Sequence, residues 1–334
     1  MRVLLTGAFG NLGQVTLDEL VMQGHRVRCF DLHSRANDRL ARDLPHGVEV
    51  TWGDLRRPED ALAAVQGQDI VLHLAFLIPE LSSTGLDMDK CPDLARDVNV
   101  GGTANLIRAM EASSNPARLL FASSMAVFGL TQDRPPPRVV ADPVGPVDPY
   151  SSHKVACEEM IRSSRLEWSI LRLAAALPRR LLFSSGMFDV PLDNRIEFVH
   201  HRDAALAFAN ALRTDQVWGQ TLLIGGGERC QLYYRDMVRQ VLEATGVGML
   251  PAAAFSTAPY PTDWLDTSLS SRLLHYQRHT VEDHAAAIRS LVGLGRPMIR
   301  ACRPAVHAWL LSRSPYLGRS GRRSGCERPQ QTDA

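Results

Sequence analysis

The segment Thr6-Gly7-Ala8-Phe9-Gly10-Asn11-Leu12-Gly13 limits what this chain can fold into more than any other. It joins the apolar run Arg2-Val3-Leu4-Leu5-Thr6 to an amphipathic stretch over 11–23, so its glycines occupy a strand-to-helix turn. Glycine there allows a tight turn, close approach of the backbone to a pyrophosphate, and close packing of helix on sheet. The start of the helix adds unpaired N–H groups and the positive end of its dipole, which suit an anion. A plain strand–turn–helix can carry the same glycines, but their place at the head of the chain points to a dinucleotide site. Its candidate residues are Gly7, Phe9, Gly10, Asn11, Leu12 and Gly13.

The chain then alternates short apolar runs with helix-length segments. Strands are expected over 2–6, 26–31, 48–52, 70–74, 118–122 and 168–173, and helices over 11–23, 58–66, 93–113 and 150–164. That rhythm predicts an α/β protein with a parallel sheet covered on both faces. Runs such as Ile70-Val71-Leu72-His73-Leu74 have the continuous apolar character of doubly buried strands. His73 in such a strand is expected to be a packed core residue. Asp31 ends the second strand, where a carboxylate accepts hydrogen bonds from the adenosine ribose and repels a 2′-phosphate. NAD is therefore favoured over NADP. Arg35 close by leaves a phosphate open, and Asp31 alone would also serve as a turn or cap residue.

Of 37 basic residues only Lys90 and Lys154 are lysines, and Lys154 follows Tyr150 by four positions in Tyr150-Ser151-Ser152-His153-Lys154. Residues so spaced share a helix face and can enter one cleft. A compact ammonium can approach a ribose and a phenol together, which a planar guanidinium does poorly.

Taken together these features resemble the extended short-chain dehydrogenase/reductase superfamily, and within it the NAD-dependent epimerase/dehydratase family, over about residues 1–290. The resemblance also rests on Gly53-Asp54-Leu55, His73-Leu74-Ala75, Val98-Asn99-Val100-Gly101-Gly102-Thr103, Phe121 through Gly129, Phe198 through Asp203, and Asp266-Thr267-Ser268. It implies a Rossmann-type doubly wound parallel sheet with a small C-terminal substrate lobe. The cofactor-binding unit would be residues 1–174, with 196–224 returning to it. Residues 175–195 and 225–290 would form the lobe, and 291–334 a basic, flexible tail. The resemblance adds Asp54, Leu55, Leu74, Ala75 and Asn99 to the cofactor contacts, together with Tyr150 and Lys154. It makes Tyr150 the acid/base, with Lys154 and the oxidised cofactor favouring its phenolate. Ser124, preferred to Ser123 by register, would hold the reacting oxygen.

The implied activity is hydride transfer between nicotinamide and a secondary alcohol or ketone. A C4-type sugar-nucleotide epimerase that retains its NAD is the first alternative, and a non-catalytic dinucleotide sensor the second. Met125 and Ala126 stand where the family's dehydratases carry Asp-Glu, which argues against dehydration. The short interval from Arg172 to Phe198 and the apolar run 171–178 suggest a small or hydrophobic substrate, although Arg179, Arg180 and Arg195 could meet a diphosphate.

A net charge of +1 offers no general attraction for nucleic acid. No run is long and apolar enough for a membrane span, and no signal peptide is expected. Residues 297–312 mix Trp309 with arginines and could touch an anionic membrane, although Pro304 should interrupt a helix there. Six scattered cysteines without Cys-x-x-Cys read as reduced thiols of a cytoplasmic protein, with no metal site. His200 and His201, expected in a strand, should face opposite ways. Family resemblance further implies a homodimer built on 93–113 and 150–164.

Overall fold

A computed structural model describes residues 1–79, 88, 91–177 and 185–317. The first half alternates β1 (Arg2–Thr6), α1 (Asn11–Met22), β2 (Arg26–Asp31), α2 (Arg35–Arg42), β3 (Glu49–Trp52), α3 (Pro58–Val65) and β4 (Ile70–His73). Then come α4 (Pro92–Arg96), α5 (Gly102–Glu111), β5 (Arg118–Ser124), α6 (Pro149–Ser163) and β6 (Trp168–Leu173). Beyond these lie β7 (Arg195–Glu197), α7 (His201–Ala211), β8 (Thr221–Ile224), β9 (Gln231–Tyr233) and α8 (Tyr234–Thr245). The last helices are α9 (Ser268–Leu274), α10 (Val281–Val292), α11 (Gly295–Ala301) and α12 (Arg303–Leu311).

Seven strands form a parallel sheet in the order β3-β2-β1-β4-β5-β6-β8. Its central strands are apolar on both faces: Val3, Leu4, Leu5, Ile70, Val71 and Leu72 are all fully buried. One apolar cluster on each face accounts for this, and helices cover both. Strand order reverses between β1 and β4, so a crevice opens at their carboxyl ends, and the glycine loop lies there. This is the Rossmann-type doubly wound sheet the sequence called for.

Four details differ from expectation. The segment at 196–200 does not rejoin the large sheet: β7 pairs antiparallel with β9, because β8 already occupies the edge beside β6. Helix α2 was not foreseen, since among its residues RANDRLAR only Leu40 and two alanines are apolar. The helix expected over 93–113 is interrupted by a π-helical stretch, Asp97–Gly101, around Asn99. Finally, the described part of the expected flexible tail is folded. Leu310 is 1% exposed, and Ile299, Val306 and Leu311 pack with it on a cluster around Phe188, Phe198 and Met237. Pro304 falls in the first turn of α12, where its missing N–H has no helical partner to lose. Residues 318–334 lie outside the described residues.

One buried network ties α6 to the sheet. The Glu158 carboxylate, 1% exposed, accepts from Arg172 Nε at 3.0 Å and Nη2 at 2.7 Å, and from Ser123 Oγ at 2.5 Å. Arg162 Nη2 adds a fourth contact at 2.7 Å. Burial would push this carboxyl up, but Arg172, Ser123 and Arg162 outweigh it and hold it below its usual range. Removing one partner of a buried pair strands the other charge, which costs about 3–5 kcal/mol. Glu158→Ala should therefore lose stability of that order in urea denaturation, whereas a loss under about 1 kcal/mol would mean that the network is not structural.

Candidate active site

The glycine loop is built by close contacts. Gly7 has φ +69°, and a Cβ there would lie 2.7 Å from Ala75 N; a Cβ at Gly13 would lie 2.1 Å from Gly7 O. Ala75 thus packs on Gly7, while Leu74 N donates to Thr6 O at 3.2 Å. Gly10 caps α1 without a side-chain hydrogen bond, and the first turn holds no acidic residue. The N–H groups of Asn11, Leu12 and Gly13 are therefore left by helix geometry for an outside acceptor. Asp31 fixes the middle of the loop, its Oδ2 accepting from Phe9 N at 2.9 Å. Burial pushes its carboxyl up, and the Phe9 and Leu32 N–H groups counter that.

Helix α6 starts from an Asp148 capping box with Ser151, with Pro149 in the first turn. Its inward face presents Tyr150, Lys154 and Glu158 in successive turns. Tyr150 and Ser124 line the same cavity, the Ser124 Oγ accepting from Ala126 N at 3.2 Å, while Ser123 is committed to Glu158. Lys154 Nζ donates to Ala122 O at 2.6 Å and sits 3.4 Å from the centre of the Phe76 ring. Burial pushes the Tyr150 phenol up to about 12; Ser124 offsets part of this, while Asp148 and Tyr260 add to it. Burial also pulls Lys154 down to about 7, against the pull of Cys157 and Glu158.

A cavity of about 470 Å³ joins these parts. Gly7, Gly10, Asn11, Leu12, Gly13, Leu74, Ser124, Tyr150 and Lys154 all line it. Phe9, Asp31, Asp54, Leu55, Ala75 and Asn99 do not. Asn99 is fully buried, its amide spent on both backbone groups of Leu77 at 2.7 and 3.0 Å. It braces the cavity wall from behind. Leu55 is a packing residue whose carbonyl accepts from Asn105 at 2.8 Å. The Asp54 carboxylate grips Arg56. His73 is a core residue, bonded to Thr6 at 2.7 Å and Thr103 at 3.0 Å.

Arg195 does not reach for a ligand. Its guanidinium is spent on Asp263 at 2.7 and 3.1 Å and on the carbonyls of Gln132, Thr131 and Arg134. Arg179 and Arg180 lie outside the described residues. His200 and His201 are also placed differently from expectation. Residue 200 caps α7 and residue 201 begins it, so strand alternation does not apply and their rings lie together, 4.1 Å apart.

The description "NAD dependent epimerase/dehydratase family" matches residues 3–177, more than half of the chain. The chain belongs to that family. Among curated members, it is 32% identical over 163 residues to the UDP-glucose 4-epimerase of Streptomyces lividans, covering 48% of this chain and 46% of that one. It is 36% identical over 128 residues to a 3 beta-hydroxysteroid dehydrogenase/Delta 5-->4-isomerase of Mycobacterium tuberculosis, covering 38% and 33%. The chain thus spans less than half the length of these relatives. The solved UDP-glucose-4-epimerase of Stenotrophomonas maltophila, with bound NAD and formylated UDP-arabinopyranose, has a TM-score of 0.71 at 24% identity. That match covers 90% of this chain and 99% of the other, and it shows the shared fold.

Several residues of this family member's cleft escaped sequence reasoning. Phe76, Tyr260, Pro261, Thr262 and His201 come from loops and a helix start, whose contacts no periodicity reveals. Glu158 was findable, since it continues the Tyr150, Lys154 spacing by one more turn. Lys154 also yields a pH test. Between about 7 and its ordinary 10.5 the unfolded chain binds more protons, so wild-type stability rises with pH. Relative to Lys154→Met, the wild type should gain about 1 kcal/mol per pH unit from 7 toward 10 in denaturant melts. A pH-independent difference would show that Lys154 keeps its ordinary affinity for protons.

Proposed function

We propose that this chain is an NAD-dependent oxidoreductase acting on an apolar secondary alcohol or the matching ketone. The observation that carries the reading is the single cavity in which the glycine loop meets Ser124, Tyr150 and Lys154. The loop fits a dinucleotide: its glycines admit the backbone approach, the start of α1 offers N–H groups, and Asp31 stands at the end of β2 for a ribose. Family membership and the NAD-bound solved relative support the same cofactor. When bound, NAD supplies the hydride acceptor or donor, and its oxidised ring a positive charge that favours the phenolate.

The side chains divide the remaining work. Tyr150, held protonated in the low-dielectric cleft, can give its proton to a carbonyl oxygen and take it back from the alcohol. Ser124 orients the phenol and shares the reacting oxygen. Lys154 is pinned by Ala122 O and Phe76 within reach of a ribose. Asp54 and Leu55 form the adenine end, with Asn99 acting through Leu77.

Substrate class follows from the walls. Ile78, Pro79, Met125, Ala126, Leu177 and Pro261 are apolar, and Lys154 is the one cation among the described lining residues. That wall suits a hydrophobic alcohol, in line with the hydroxysteroid relative, better than a diphosphate. The epimerase relative favours a second reading, a C4-type epimerase with retained NAD. Met125 and Ala126 offer no acid or base for dehydration, and the Ser124–Tyr150 pair has no use in a sensor. We carry two further readings. One is a homodimer through 93–113 and 150–164, supported by half-buried apolar Ala104 and Ala156 on those segments. The other is a reducing, cytoplasmic setting, supported by five free cysteines among the described residues; no described helix is long and apolar enough to cross a membrane.

The test is NADH-linked turnover of an apolar ketone panel that includes ketosteroids, together with mass spectrometry of small molecules released from freshly denatured protein. Exchangeable cofactor and ketone reduction are expected, with Tyr150→Phe at least about 100-fold slower while still binding NADH. Stoichiometric released NAD and no ketone turnover would transfer the case to the epimerase. An unimpaired Tyr150→Phe would remove the assigned acid/base.

A further inference from the structure

Behind the cavity wall four imidazoles and a carboxylate converge: His200, His201, His279, His284 and Asp203. His200 and His284 are each 4% exposed and Asp203 is fully buried, while His201 also lines the cavity. The His200 ring lies between those of His201 at 4.1 Å and His279 at 4.5 Å. His284 meets His200 and His201 edge-on, at 6.0 and 6.4 Å. One ring nitrogen each from His200, His201 and His284 fall within 4.8 Å of one another.

This is unlike the packing of His73, whose two nitrogens are both satisfied by threonines. His284 keeps Nδ1 buried with no partner among the described residues, a vacancy that usually marks a missing ligand or water. His200 accepts from Arg202 N through Nδ1, at 3.3 Å, a bond that does not occupy Nε2. Asp203 stands behind these rings. It takes His279 Nδ1 at 2.5 Å on one oxygen and the N–H groups of Arg278 and His279 on the other. A carboxylate so fixed holds His279 against the His200 ring and offsets a nearby cation's charge.

We propose that His200, His201 and His284 form a site for one divalent transition cation of the Zn²⁺/Co²⁺ class. Three imidazoles favour such borderline ions over Mg²⁺ or Ca²⁺, which take oxygen ligands. Metal–nitrogen bonds of about 2.0–2.1 Å put tetrahedral donors roughly 3.4 Å apart, so donors within 4.8 Å of one another need draw in by no more than about 1.4 Å. His201, half-buried at the first turn of α7, is the most exposed of the three rings. Three protein ligands leave a fourth position, and because His201 belongs to the cavity wall, that position opens toward the substrate space. The site would also clamp the start of α7 to α10. It does not depend on the hydride-transfer reading.

The experiment uses untagged full-length protein, stripped with chelator and titrated with Co²⁺ at neutral pH, followed by visible d–d absorption and by equilibrium dialysis with Zn²⁺. One equivalent is expected to bind, with Zn²⁺ displacing Co²⁺. Affinity should fall at least about 100-fold in His284→Gln and in His201→Ala, and stay unchanged in the exposed His46→Ala. Thermal melts establish which variants are folded, and either of the two ligand variants is sufficient. Failure of the wild-type protein to bind either ion overturns the proposal, as does undiminished affinity in a folded ligand variant.

Discussion

The buried Glu158 carboxylate is the contact on which the cleft depends. It sits one turn beyond Lys154 and two beyond Tyr150, and it joins α6 at once to Ser123 of β5 and Arg172 of β6. Because Ser123 is held this way, its neighbour Ser124 emerges at the strand end toward Tyr150. A helix free to slide by even 1 Å would separate a phenol from a hydroxyl that must meet at hydrogen-bond distance. A buried ion pair is a poor source of net stability but a strong source of register, since every misalignment strands a charge.

The same helix carries a second, opposing demand. Lys154 is held in a dry cleft with a carbonyl and an aromatic face as its neighbours, and burial pulls it toward neutrality. Tyr150 is pushed the other way, toward keeping its proton. Both displacements arise from desolvation, which favours the neutral form of each group. An apolar interior would be the more stable choice; a site for moving protons has to give up part of that stability.

Much of this was legible in the sequence because local chemistry dictates it. Gly7 and Gly13 announce a turn that no side chain fits, Ile70 through His73 a doubly buried strand, and Tyr150 with Lys154 a shared helix face. What was missed depends on tertiary placement. Helix α2 offers only Leu40 and two alanines as apolar signal, β7 finds its partner 34 to 38 residues later in β9, and Pro304 sits harmlessly at a helix start rather than inside one. Arg195 looked like an anion ligand until its donors proved to be shared among Asp263 and three backbone carbonyls. The pairing of His200 with His201 was inverted by a single change of element, from strand to helix cap.

The central claim is that the glycine loop and Asp31 together hold NAD against the Ser124, Tyr150, Lys154 cluster. Its most direct test is a fluorescence titration of the wild-type protein with NADH and, in parallel, with NADPH. Saturable NADH binding, with NADPH at least about tenfold weaker, is the result this structure requires. Tighter binding of NADPH, or no binding of either, would contradict it.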